Sequence, residues 1–575
     1  MIGLSAAKPL YKKEFSAAAA FCSVTILMLA ARYFSFYGFK GSDDLHYAFL
    51  SNHVLNGRYD MFFAQDIYAG RAVPVLYQAL WFRLLGINDF TVCLPSLSVL
   101  ILLAYVVCFK CGLQKNIRTV FLASSLIYFN PVVTRTTLGN LPDVYIALTA
   151  LLVFLLIKKN VEQISLKQKM VSGTIAGILL TAGLFVKESI VLIYAALPFV
   201  LFFFRKKLSR YFITALAITV CMGGAGYLFF YYINTGDAFF HLVQIKNAAY
   251  FNTCSYQCLP QAEMIKRLTV TVPLAAVLSG AYPLLFLTAA FCSKSQGADP
   301  FTRYWKITFI SLLVLAMYFP FSIFPYVPLC HDMRQFFFLF PFTAILFAGF
   351  LHQHMEDDKH VKAISITGSI VFALVTGLCS FYMPYNKWAV LCNALLALGF
   401  FINIFLKKKM RYFFFYGAIP LILFIGIAYP VYKKPHDGYN GLKSLHKKIN
   451  GQTNFSSKAY YFLNNDTKTH YSLIDQFDTV KLFVNFDTVQ RGFKPFRAYQ
   501  QQDAFKNLQP GWLIVSDAYP ENISAPAIHA VKQLLAGKFY SITVNKTTAY
   551  YLTSADAAEK ILHLINSNSA GGNCY

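Results

Sequence analysis

The sequence predicts a polytopic α-helical membrane protein that ends in a small soluble α/β domain. Three observations lead there. Long apolar runs recur through residues 1–431, charged residues make up only 13% of the chain against 57% hydrophobic ones, and the composition turns mixed and polar from about residue 432. Soluble globular proteins carry roughly 25% charged residues. Half that fraction, with a mean hydropathy of +0.49, excludes a large water-soluble enzyme, a disordered chain and a collagen-like fibre.

Crossing about 30 Å of hydrocarbon at 1.5 Å per residue takes roughly 20 mainly apolar residues. The runs that approach this length are 16–38, 92–109, 119–134, 143–157, 171–187, 189–204, 211–232, 268–291, 306–324, 335–351, 361–382, 388–406 and 412–431. They amount to about thirteen spans. The stretch 72–86 is too short and carries Gln78 and Arg83. Its Val73, Leu76, Leu80 and Leu84 share one helical face, which suits a helix lying in the membrane interface.

Charge sets the orientation. The chain has 51 Lys and Arg against 26 Asp and Glu, a formal net charge of +25. These basic residues sit in short clusters between apolar runs, so a nucleic-acid partner is excluded. The clusters at Lys8/Lys12/Lys13, Lys110/Lys115/Arg118, Lys158/Lys159, Arg205/Lys206/Lys207 and Lys407/Lys408/Lys409/Arg411 fall on one side if 72–86 does not span. That side is cytoplasmic. The N-terminus is then cytoplasmic, with 16–38 a retained helix rather than a cleaved signal. The long loop 39–91 and the α/β domain 432–575 lie outside. In that domain the short apolar runs 458–463, 480–485, 512–516 and 550–553 read as strands, and 525–536 as a helix. The 12 cysteines are scattered, mostly in apolar runs, with no CxxC framework and no zinc spacing. Cys254 and Cys258 share an outer loop, where they form either a bridge or two free thiols.

Acidic residues are scarce, so those at outer helix ends carry weight. Asp43 and Asp44 follow the first span. A helix cap accounts for one of them, and a carboxylate held as a general base is the functional alternative. Asp143 opens a span after Pro142, where a cap is again sufficient. Lys187 and Glu188 sit side by side between two apolar runs, either as an interfacial pair or as ligand contacts. Arg71, Lys246 and Arg334 are further outer cations, ordinary snorkelling side chains or phosphate holders.

The stretch DDLHYAFLSNHVLNGRYD (43–60) is similar to the opening of the first outer loop in polyprenyl-phosphate-dependent glycosyltransferases of the GT-C superfamily. That superfamily includes lipid A aminoarabinose transferases and protein O-mannosyltransferases. WFRLLGINDFTVCLPSLSVL (81–100) resembles the family signature FKLFG.NEFALRLPSAL. LGNLPDVYIALTALLVF, GLFVKESIVLIYAALPF and MRQFFFLFPFTAILFAG extend the resemblance across roughly 16–351. It implies a catalytic carboxylate at Asp43 with Asp44 beside it, and a second acid at Asp143. It also implies a cavity lysine at Lys187 and a donor-phosphate arginine at Arg334. The chain departs from the family at Gly70–Pro74, where Lys-Pro-Pro is common, and at Glu188-Ser189, where Gly-Pro is common.

The implied function is transfer of a sugar from a polyprenyl-phosphate donor to a lipid, glycan or protein acceptor at the outer face of a bacterial inner membrane. Asp43 would be the base. Lys187, Arg334, Arg71 and Lys246 would hold the departing phosphate. No Ser-His-Asp arrangement or P-loop is present. No cofactor is demanded, although Asp43, Asp44 and His46 could contribute to a divalent metal site. Two rival classes are a transporter or flippase, which should place charges at the membrane midplane, and an O-antigen polymerase or ligase. The rivals separate on whether Asp43 and Asp143 come together.

Overall fold

The computed structural model describes residues 8–35, 42–63, 66–114, 116–137, 139–161, 165–249, 261–266, 269–270, 300–322, 327–328, 333–382, 387–425, 437–452, 459–462, 482–485, 511–516, 532–535, 540–544 and 547–552. The expected span 268–291, apart from 269–270, and the Cys254/Cys258 pair lie outside them.

Helices occupy the other apolar runs. The principal ones are α1 (Lys8–Ser35), α2 (Ser42–Leu55), α3 (Ala72–Leu85), α4 (Asp89–Tyr105), α5 (Ile117–Tyr128), α6 (Pro131–Thr136), α7 (Asp143–Val161), α8 (Leu166–Leu184), α9 (Val191–Phe204), α10 (Arg210–Thr235) and α11 (Phe240–Ala249). Among the described residues, six helical stretches are long and apolar enough to cross a membrane: Phe15–Tyr33, Asp89–Lys110, Asp143–Val161, Arg210–Thr235, Arg334–His354 and Asp358–Phe381. The chain is a polytopic α-helical membrane protein.

Two boundaries differ from expectation. The run 119–134 is not one helix: α5 stops at Tyr128, and Asn130 then accepts the Val132 backbone N–H at 2.9 Å and caps α6, with Pro131 at its first position. The run 306–324 is helical only as Pro300–Tyr318. Pro320 cannot donate a helical hydrogen bond, and Pro320–Ser322 instead forms β1, antiparallel to β2 (Val327–Pro328).

The stretch 72–86 is the 14-residue helix α3. It buries Val75, Gln78, Ala79 and Phe82 against the protein and leaves Leu76, Leu80 and Leu84 exposed along the opposite side. An exposed leucine stripe on a short helix is the arrangement of a helix that faces lipid sideways.

Close helix contact is made by small residues. Gly173 and Gly177, four residues apart on α8, face α10. A Cβ at Gly173 would stand 2.5 Å from the Phe212 carbonyl oxygen, and one at Gly177 would stand 2.6 Å from Thr219 Cβ. Removing side chains there lets the two backbones approach, and dispersion replaces the hydrophobic drive that lipid cannot supply.

Beyond the last apolar helix, Asp437–Asn450 is amphipathic and buries Leu442, Leu445 and Ile449. It packs on a five-stranded sheet built from β3 (Ala459–Phe462), β4 (Leu482–Asn485), β5 (Gly511–Ser516), β6 (Ser541–Val544) and β7 (Thr547–Leu552), in the order β4-β3-β5-β7-β6. β3 is parallel to both β4 and β5, whereas β7 runs antiparallel to β5 and β6. Tyr460, Phe462, Trp512, Ile514 and Ala549 meet the helix. The Asp437–Asn450 helix and β6 were not expected from sequence. Of the expected 525–536 helix, only 532–535 are described, and they are helical.

Gly173→Ala should therefore destabilise the protein by about 1–3 kcal/mol through overpacking against a backbone oxygen. Gly224→Ala, on α10 with open space around it, should be neutral. Thermal melting of both variants in detergent checks this. Equal melting temperatures would remove close packing as the reason for the glycine.

Candidate functional site

Five segments carry their ionisable groups to one end of the helices. α2 brings Asp43, His46 and Tyr47. The turns before α3 bring Asp66, Tyr68 and Arg71. The first turn of α7 brings Asp143, and the junction between α8 and α9 brings Lys187 and Glu188. Arg334 enters from the 3₁₀ helix Met333–Leu339.

A polar network sets the positions of these segments. Ser51 donates to the Val75 carbonyl at 2.9 Å and so ties α2 to α3. Asn140 donates to the Pro74 carbonyl at 2.8 Å and accepts from the Tyr145 hydroxyl at 2.7 Å, which anchors the start of α7 beside α3. The Val73 backbone N–H donates to the Phe185 carbonyl at 3.1 Å and fixes the α8–α9 junction against the beginning of α3. Gly70 allows α11 to dock closely, since a Cβ there would fall 2.7 Å from His241 Nδ1. Gln244 of α11 then donates to the Phe63 carbonyl at 2.8 Å.

On this scaffold the charges are paired. Arg334 Nη2 lies 2.7 Å from Asp43 Oδ2, and the Tyr68 hydroxyl donates to Asp43 Oδ1, also at 2.7 Å. Lys187 Nζ lies 2.6 Å from Asp143 Oδ1, with both side chains buried. Arg71 donates through Nη2 to both Glu188 oxygens, at 2.8 and 2.9 Å, and through Nη1 to the Tyr47 hydroxyl at 2.8 Å. The Arg71 guanidinium also sits over the Tyr68 ring, 5.1 Å from its centroid. Contact is thus continuous from Arg334 through Asp43, Tyr68, Arg71 and Glu188 to its chain neighbour Lys187 and on to Asp143.

Burial alone would push the Asp43 carboxyl up. Arg334, the Tyr68 hydroxyl and Arg71 together outweigh it and hold the group below its usual range, so Asp43 is ionised at neutral pH. Glu188 follows the same balance, with burial opposed by Arg71 and Lys187. Burial raises the Tyr68 phenol well above its usual range, and the Asp43 charge adds to this, so Tyr68 stays a hydrogen-bond donor.

The structure joins six of the residues singled out from sequence: Asp43, Asp143, Lys187, Glu188, Arg71 and Arg334; Glu188 pairs with Arg71 and Lys187 with Asp143, not with each other. Asp44 is in the first turn of α2 and Lys246 is on α11; their side chains lie outside those described. Sequence reasoning missed the roles of Tyr47 and Tyr68, hidden among 37 tyrosines. It also missed the Asp66–His46 contact at 2.7 Å beside this cluster. Burial opposes ionisation of Asp66, and His46 together with two backbone N–H groups overcomes it. Among the described residues no group of three His, Cys, Asp or Glu side chains is arranged to hold a metal.

Losing one member of a buried pair leaves an uncompensated charge. Glu188→Ala should destabilise the protein by roughly 3–5 kcal/mol, while the double variant Arg71→Met/Glu188→Leu should recover much of that loss. Melting temperatures that fall further in the double variant than in Glu188→Ala would contradict the pairing.

No family model matches the chain, and no curated protein matches it by sequence. Solved structures do. The crystal structure of ArnT from Cupriavidus metallidurans bound to undecaprenyl phosphate is 12% identical, covers 94% of this chain and 98% of its own, and superposes with a TM-score of 0.60. The apo state of the same protein gives 0.59 at the same identity and coverage. At that identity the likeness is one of fold, and it covers nearly the whole of both chains: this protein shares the fold of the ArnT structures.

Proposed function

We propose that the chain is a membrane glycosyltransferase that moves a sugar from a polyprenyl-phosphate donor to an acceptor at the outer face of a bacterial inner membrane. The observation that carries this reading is the convergence of Asp43, Asp143, Lys187, Arg71 and Arg334 at one end of the helices. The similar ArnT structure is bound to undecaprenyl phosphate, which supports a lipid phosphate as the donor's leaving group.

The chemistry follows from the pairs. An acceptor hydroxyl attacks the anomeric carbon and its proton passes to Asp43. The bond from that carbon to the phosphate oxygen breaks, and the polyprenyl phosphate leaves with the electron pair. One displacement inverts the anomeric centre. Lys187, oriented by Asp143, and Arg334 hold the leaving phosphate, with Arg71 and Lys246 as further cations. Asp44 is the alternative base within the acidic pair. A phosphate that draws Arg334 to itself removes the strongest attraction that keeps Asp43 acidic, so donor binding makes Asp43 a better base. In this reading about thirteen spans place the N-terminus in the cytoplasm, and 432–575 is a periplasmic domain. Lipid, glycan and protein acceptors all fit the chemistry.

Asp43→Asn keeps the size of the side chain and removes its basicity. It should lower turnover by a factor of about 10²–10⁴. A purified variant transferring sugar from a polyprenyl-phosphate donor at the wild-type rate would refute the assignment, and a dead Asp44→Asn beside an active Asp43→Asn would shift it by one residue. Arg334 holds the Asp43 pKa down, so Arg334→Gln should move the acidic limb of the kcat/KM profile to higher pH; an unmoved limb would separate Arg334 from the base. For topology, single cysteines at Ser42, Asn88 and Ser457 should all react with an impermeant reagent from the periplasmic side. Labelling of Asn88 only from the cytoplasm would make 72–86 a span.

A further inference from the structure

At the end of the bundle that loop charge assigns to the cytoplasm, residues 408–417 face the beginning of α5 across a cavity of about 690 Å³. It is lined by Arg118, Lys408, Lys409, Tyr412, Phe413 and Tyr416. The Arg118 guanidinium lies over the Tyr412 ring, 4.7 Å from its centroid, and Tyr412 stacks on Tyr416 at 6.0 Å. The Tyr412 hydroxyl donates to Glu356, which also pairs with Lys408. Arg411, next in the chain, pairs with Asp358. Carboxylates on the neighbouring turn thus engage Lys408 and Arg411, while Arg118 and Lys409 are exposed cations that line the same cavity as the stacked tyrosines.

We propose that this cavity is a binding site for the phosphodiester headgroup of an anionic phospholipid in the cytoplasmic leaflet. Among the described residues that line it three are cations and none is an acid. Glu356 takes up Lys408, and the two cations left, Arg118 and Lys409, suit a single negative phosphate and disfavour a zwitterionic headgroup whose own cation would be repelled. The wall is apolar as well as charged: Phe413 lines the cavity and is 66% exposed, and Met410 and Phe405 stand exposed close by in the chain. Exposed aromatic and aliphatic side chains beside lysines mark the depth at which headgroup gives way to acyl chain. A soluble anion would use the cations and leave Phe413 in water. A lipid uses both, with its phosphate between Arg118 and Lys409 and its chains along Phe413. The inference rests on the membrane fold and the proposed orientation, and not on glycosyl transfer.

The test is native mass spectrometry of the full-length protein titrated with phosphatidylglycerol or with phosphatidylcholine. Wild type should retain phosphatidylglycerol in preference, and Arg118→Gln/Lys409→Gln should lower that retention about thirtyfold, the scale expected of two cations near a membrane surface. Lys206→Gln/Lys207→Gln, which removes two exposed cations outside the cavity, should leave it unchanged. Should the site variant melt early, Lys409→Glu alone, on an exposed side chain, carries the same reading. Equal retention of the two lipids, or equal loss in the Lys206/Lys207 control, would overturn the proposal. Displacement of the lipid by inorganic phosphate at ordinary buffer concentration would reassign the cavity to a free anion and overturn it as well.

Discussion

Three ion pairs hold the site end of this protein together, and each joins segments that are distant in the chain. Arg71 and Glu188 are separated by 117 positions, and Asp143 and Lys187 by 44. A charge at the edge of hydrocarbon is costly unless a partner or a polar cavity receives it. The chain therefore brings its scarce acids to its cations, and in doing so fixes the loop before α3, the α8–α9 junction, the start of α7 and the 3₁₀ helix before residue 340 relative to one another. Buried pairs contribute little net stability, but breaking one is expensive. Their effect is to specify a single arrangement.

The pairs differ in how open they are, and the difference suggests how the proposed chemistry is divided. Lys187 and Asp143 expose only 8% and 4% of their side chains, whereas Arg334 and Asp43 expose 32% and 23%. A buried pair stays intact, so Asp143 fixes Lys187 in place while its other ammonium hydrogens serve a ligand; a partly open pair can exchange one partner for a ligand. Arg71 is fully engaged by Glu188 and Tyr47, so its charge is spent on structure in this state. In the proposed reaction Arg334 is the cation with freedom to move to a phosphate, and Asp43 is the acid whose basicity that movement changes.

Much of this was legible in the sequence because the signals were compositional or periodic. Apolar runs located the helices, and the spacing of Leu76, Leu80 and Leu84 gave α3 its exposed stripe. Acids at helix ends stood out because acids are rare. Glu188 was legible as a departure from the family's Gly-Pro, but its partner was not, since nothing local ties it to Arg71. Tyr68 was invisible among an aromatic excess, and Tyr47 was legible only as a position on the helix after Asp44; the role of both is set by contacts across the fold. The break at Asn130-Pro131 was readable in principle from a cap followed by proline, but the apolar run around it masked the signal. The Asp437–Asn450 helix was missed because its apolar positions Leu442, Leu445 and Ile449 lie in an otherwise polar stretch.

The central claim is that a lipid phosphate competes with Asp43 for Arg334. Equilibrium binding of undecaprenyl phosphate to Asp43→Asn protein tests it most directly. Removing the competing carboxylate should tighten binding severalfold over wild type, because Arg334 no longer has to be taken from an ionised partner. Weaker or unchanged binding in that variant would contradict the competition and leave Arg334 as a structural partner of Asp43 alone.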